Sequence, residues 1–172
     1  MRSLFGGRRR SVFGHGKELG VYRTELFELT QRIDRVLGAV VEEIDALRRR
    51  DLEPEDAVAR LGEQEVVLDA DVAALQGMMA PEELHGLHME YEANLERALR
   101  GIVTVERGCA ITRLPHRPPD DEEPLTYYKR GQSNVTHARL RMDEIVEVLL
   151  RWEPGRPTEA SVAARLERTR DV

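Results

Sequence analysis

Glu82, His85, His88 and Glu92 have the residue types and spacing of a metal site. Steps of three and four residues place them near one face of a helix. Imidazole nitrogen with carboxylate oxygen suits zinc or iron. Di-iron bundles need two Glu-x-x-His motifs and a Glu from each of two further helices. Glu82–His85 is the only Glu-x-x-His in the chain, and the other apolar stripes carry no evident inward acid. No metal site is therefore favoured and no cofactor is expected. The pattern points instead to a core or boundary His88 hydrogen-bonded to a neighbour, with His85 exposed. A metal- or small-ligand-binding bundle using His85 and His88 is the alternative.

Other reactive groupings fall further short. Cys109, with His116 and Asp120 as helpers, has the composition of a nucleophilic site. However, Cys109 continues an apolar stripe and His116 lies in a proline-rich stretch, so a buried thiol is expected. Gly14-His15-Gly16-Lys17 departs from a phosphate loop at Ser11 and Glu18, with no strand before it. Tyr127, Tyr128, Lys129 and Arg130 mix aromatics with cations in a way that can stack bases. The acidic remainder of the chain repels nucleic acid, so a helix start with one buried tyrosine is expected. No constellation supports an enzyme.

The elements that position these residues read as long helices. Leu84, His88, Tyr91, Leu95, Ala98, Ile102, Val105 and Cys109 alternate steps of four and three, which predicts a helix over 81–109. Pro81 suits its first position and Glu82 and Glu83 its positive dipole end. A second stripe, Tyr22, Leu26, Leu29, Ile33, Val36, Val40, Ile44 and Leu47, widened by Phe27, Leu37 and Val41, predicts a helix over 20–50. Val58, Leu61, Leu68, Val72, Leu75 and Met79 predict one over 54–79, ended by Pro81. Tyr128, Gly131, Val135, Ala138, Met142, Ile145, Leu149 and Trp152 predict the last, over 125–152, with Gly131 and Ala138 small enough for a close neighbour. Residues 110–124, with Pro115, Pro118, Pro119 and Pro124 and the acidic run Asp120–Glu123, form a loop.

These readings add up to an all-α, antiparallel up-and-down four-helix bundle over 19–153. The alternative is a smaller helical unit that completes its core as a homodimer. The segment Ala80-Pro81-Glu82-Glu83-Leu84, followed by Leu87-His88 and Tyr91, resembles helix starts in small bacterial helical bundles, and the likeness implies no activity. Of 26 basic residues, Lys17 and Lys129 alone are lysines, a skew that suits a GC-rich bacterial genome.

Charge is uneven along the chain. The net value is −6, yet Arg2, Arg8, Arg9, Arg10 and Lys17 face no acid within residues 1–17. Residues 1–18 read as a disordered basic arm. Its Arg8, Arg9, Arg10, Phe5 and Phe13 suit contact with a protein partner or an anionic membrane surface. Residues 154–172 read as a tail in which Thr158 caps a short, weakly docked helix to about Arg168. A single cysteine excludes an intrachain disulfide, no apolar run nears ~20 residues, and the N-terminus lacks a signal-peptide core. The expected protein is a cytoplasmic, non-enzymatic interaction or scaffold bundle whose partner the residues do not name.

Overall fold

The computed structural model describes residues 12–116 and 121–153, with side chains from Glu18 onward. Its elements are α1 (Val12–Arg49), α2 (Pro54–Gln76), α3 (His85–Thr112) and α4 (Pro124–Arg151), with a single 3-10 turn, Glu82–Leu84, leading into α3. There is no strand among the described residues. The fold is all-α, and the four helices share one apolar core.

Periodicity dictates that core most directly in α3 and α4. All eight residues of each expected stripe, from Leu84 to Cys109 and from Tyr128 to Trp152, are buried. In α1 the stripe drifts by one position, because Leu37 rather than Val36 follows Ile33 into the core. The larger correction is in α2. Its buried positions are Ala57, Leu61, Leu68, Asp71 and Leu75, while Val58 and Val72 sit at the boundary. Met79 is not on the helix at all. Gly77 ends α2, its N–H donating to the Ala73 carbonyl at 3.1 Å, and Met79 falls in the following turn, 91% exposed.

The helix ends also differ from expectation. α1 begins at Val12, so residues 12–18 of the expected arm are helical, and residues 1–11 lie outside the described residues. Once packing from Leu19 onward holds a helix, each further residue added at its end needs no new nucleus. Pro81 precedes the 3-10 turn in an extended conformation, φ −54° and ψ 146°, rather than opening an α-helix. At the other end of α1, Arg50 adopts φ 65°, and the Asp51 N–H reaches back to the Ala46 carbonyl at 2.8 Å. This left-handed residue closes the helix as a glycine commonly does. The tail 154–172 lies outside the described residues.

α1 packs against α2 and α4, and α3 packs against the same two helices from the other side. α3 and α4 form the most extensive pair. Their approach is close because of glycine. A Cβ built on Gly131 would stand 2.6 Å from the Gly101 carbonyl oxygen, and one on Gly108 would stand 2.7 Å from the Tyr128 ring. The small residue expected at 131 therefore has α3 as its neighbour.

Candidate functional site

The polar interior is built where α1, α2 and α3 meet. Thr30, Asp71 and His88 are the buried polar residues among the described ones. His88 comes from the first turn of α3, and its imidazole is 5% exposed. Nδ1 lies 3.1 Å from the Tyr22 hydroxyl of α1. One turn further along α3, Tyr91 donates its O–H to Thr30 Oγ1 at 3.0 Å, and Thr30 donates to the Leu26 carbonyl at 2.8 Å. From α2, Asp71 Oδ1 accepts from Arg32 Nε at 2.7 Å. Asp71 Oδ2 is buried with no hydrogen-bond partner.

Burial governs the protonation of this seam. It lowers the affinity of His88 for a proton, aided by His85 and opposed by Glu92. It raises the Tyr22 phenol far above its ordinary value, and pushes Tyr91 up to about 12 against the hydrogen bond to Thr30. A neutral imidazole carries one N–H, so Nδ1 accepts the Tyr22 proton in one tautomer and donates to the Tyr22 oxygen in the other. The arrangement ties three helices together through polar contacts. It offers no activated nucleophile, since a phenol held protonated is a weak one.

The expected metal candidates do not converge. Glu82 and His85 are exposed, His88 turns inward to Tyr22, and Glu92 accepts from Gln76 at 2.6 Å. No three His, Cys, Asp or Glu side chains among the described residues are grouped to hold a metal ion. Cys109 is buried, and burial pushes its thiol up to about 11. His116 is exposed at the end of the α3 turn, and Asp120 lies outside the described residues.

Other expected residues find different surroundings. Arg8, Arg9, Arg10 and Phe5 lie outside the described residues, whereas Phe13 is placed on α1 by its backbone. Gly14-His15-Gly16-Lys17 is also helical, which removes any phosphate loop. Both Tyr127 and Tyr128 are buried, where one was expected. Tyr127 donates to Asp121 at 3.2 Å, and Arg107 lies 5.4 Å from its ring while pairing with Asp121 at 2.8 Å. Arg130 pairs with Glu122 at 2.8 Å. Part of the acidic run thus serves to seat the start of α4.

Asp71 and Gln64 escaped the sequence reading. The signal was present: Ala57, Leu61, Gln64, Leu68, Asp71 and Leu75 alternate steps of four and three. A search for apolar residues steps over the two polar members. Both have a buried oxygen without a hydrogen-bond partner, as does Glu43, to which Gln64 donates at 3.1 Å.

At the surface, Val21, Ala73, Ala74, Met78 and Met79 line an apolar groove between the start of α1 and the end of α2, rimmed by Glu18 and Glu25. No helix among the described residues is long and apolar enough to cross a membrane. No protein-family model matches the chain, and no match to it was found among curated proteins or solved structures.

Proposed function

We propose that the chain is a non-enzymatic, antiparallel up-and-down helical bundle that works by holding another protein. The topology is supported by the cross-helix pairs. Along α1, Arg23, Asp34 and Asp45 meet Leu149, Arg139 and Gln132 of α4, so one set of numbers rises as the other falls. Glu90 with Arg141 and Arg97 with Asn134 do the same for α3 and α4. Glu55 with Arg113 and Gln76 with Glu92 do so for α2 and α3.

The observation that carries the interaction reading is the groove of Val21, Met78 and Met79. Most polar groups of the interior are engaged in helix-to-helix bonds, whereas Val21 and Met79 face water beside a partly buried Met78. Flexible methionines at a binding surface adapt to varied apolar partners. Glu18 and Glu25 at the rim favour a partner helix that is apolar on one side and basic at its edges. The basic residues before α1 provide a second, electrostatic contact with a partner or an anionic membrane surface.

Photocrosslinking from position 79 in cells of the source organism tests this reading. The expected result is one dominant crosslinked protein, lost on Val21→Asp with helicity unchanged, and absent from a probe at Leu140 on the surface of α4. Equal crosslinking from 79 and 140 would overturn it. Sedimentation with anionic liposomes, with and without residues 1–18, tests the membrane contact.

A further inference from the structure

Three buried side-chain oxygens among the described residues have no hydrogen-bond partner, and all three lie in the seam between α1 and α2. They are Glu43 Oε2 of α1 and Gln64 Oε1 and Asp71 Oδ2 of α2. We infer that α2 undocks as a unit while α1, α3 and α4 stay assembled, so that it serves as a movable cover over the core.

The seam is the first argument. Gln64 donates to Glu43 at 3.1 Å, and Arg32 donates to Asp71 at 2.7 Å. Each pair joins the two helices yet leaves at least one oxygen unmatched. A buried acceptor without a donor costs free energy that water returns on exposure. Undocking α2 hydrates all three oxygens at once, which offsets part of the apolar contact that is lost.

The weak hold on α2 is the second. Five of its 23 residues are buried, Asp71 among them, against eleven of 28 in α3 and nine of 28 in α4. Val66 and Val67 face water. Gly62 lowers its helix propensity, and nothing lies within 4 Å of a Cβ built there. Glu53 precedes the first turn without a side-chain cap, and Gly77 ends the helix. The turns at 50–53 and 77–81 tether α2 at both ends when it leaves.

The third argument is that the other helices hold one another without it. Gly101, Gly108 and Gly131 bring α3 and α4 into close apposition. Across α1 and α4, Arg23 donates to the Leu149 carbonyl at 2.9 Å, Gln132 to Asp45 at 2.8 Å and Arg139 to Asp34 at 3.0 Å. α1 and α3 meet little, and α2 packs against both. Its departure therefore opens an apolar trough between them and exposes its own Leu61, Leu68 and Leu75. An element that opens below the global unfolding free energy exchanges its amides as a separate cooperative unit.

Native-state hydrogen exchange of the full chain, resolved by peptide mass spectrometry, tests the cover. In the wild type the amides of 57–75 should exchange together, with protection at least about tenfold lower than those of 95–109 and 131–145. Gly131→Ala overpacks α4 against α3. It should lower protection in those two helices at least about fivefold and leave α2 unchanged, because α2 opens with that pair intact. Gly62→Ala should raise protection in α2. Equal protection in all four helices overturns the proposal, and this wild-type comparison stands independently of either variant. A loss of protection in α2 as large as that in α3 and α4 on Gly131→Ala also overturns it. So does exchange confined to the ends of α2, with the amides around Leu68 as protected as those of α3.

Discussion

Nδ1 of His88 and the hydroxyl of Tyr22 lie 3.1 Å apart, with ring centroids at 5.9 Å and planes tilted by 52°. The bond joins α1 and α3, helices that otherwise meet little. Burial favours the neutral imidazole, with His85 acting in the same sense and Glu92 against it. A histidine lowered in the native state contributes its full stability above about 6.5, its ordinary value. That contribution is lost as pH falls toward the native-state value, because the unfolded chain takes up the proton first. Melting temperatures followed by circular dichroism at pH 7.5, 6 and 5 should fall more steeply for the wild type than for His88→Leu. Parallel curves would show that His88 is not the group responsible.

Arg32 and Asp71 share an ion pair but not an environment. The Asp71 side chain is 3% exposed and that of Arg32 is 48% exposed. Removing the cation leaves a buried carboxylate without its donor, so Arg32→Met should cost about 1–3 kcal/mol. Removing the acid returns Arg32 to water, so Asp71→Leu should cost less, or stabilise, since Oδ2 has no partner to lose. The double variant should recover most of the loss. Urea denaturation of the four proteins checks the cycle, and equal costs for the two single changes would contradict the asymmetry.

This pair also shows what could be read in the sequence and what could not. The stripes of α3 and α4 were legible because their residues combine apolar or small side chains with correct spacing. His88 stood out as the polar member of one stripe, and its burial against another side chain followed. Asp71 and Gln64 were not legible, because an acid or amide at a core position is indistinguishable from a surface residue until its partner helix is known. Arg32 and Glu43 supply those partners from 39 and 21 residues away. The length of α1 was hidden for another reason. Gly14 and Gly16 have low helix propensity, and a propensity reading stops where propagation does not.

Glycine substitutions should separate packing from propensity. Gly62 of α2 has nothing within 4 Å of a built Cβ, so Gly62→Ala should gain up to about 1 kcal/mol from helix propensity. Gly131 meets the backbone of α3, which cannot swing aside, so Gly131→Ala should lose about 1–3 kcal/mol through overpacking, less what propensity returns. Differential scanning calorimetry should move the two melting temperatures in opposite directions. A gain for both would mean that α3 and α4 are less tightly apposed.

Glu43 and Gln64 close the interface of α1 and α2 through one hydrogen bond, yet Glu43 Oε2 and Gln64 Oε1 are both buried and unpartnered. A single proton on Oε2 satisfies both, giving an acid–amide ring of two hydrogen bonds. Burial raises the Glu43 carboxyl, with Glu63 adding to the effect and Arg60 and the Gln64 bond opposing it. The sign follows from linkage. An acid raised in the native state contributes stability that is complete below its ordinary value and fades as pH rises through the native one. Glu43→Gln places an N–H where that proton would sit. The variant should therefore match the wild type near pH 4.5 and exceed it at pH 7.5, by about 0.5–1.5 kcal/mol for the hydrogen bond restored. Glu43→Ala should show no such crossover, because it leaves Gln64 without either bond. Chemical denaturation at the two pH values distinguishes these outcomes, and a wild type that remains more stable than Glu43→Gln at pH 7.5 would show that the carboxylate is the native form.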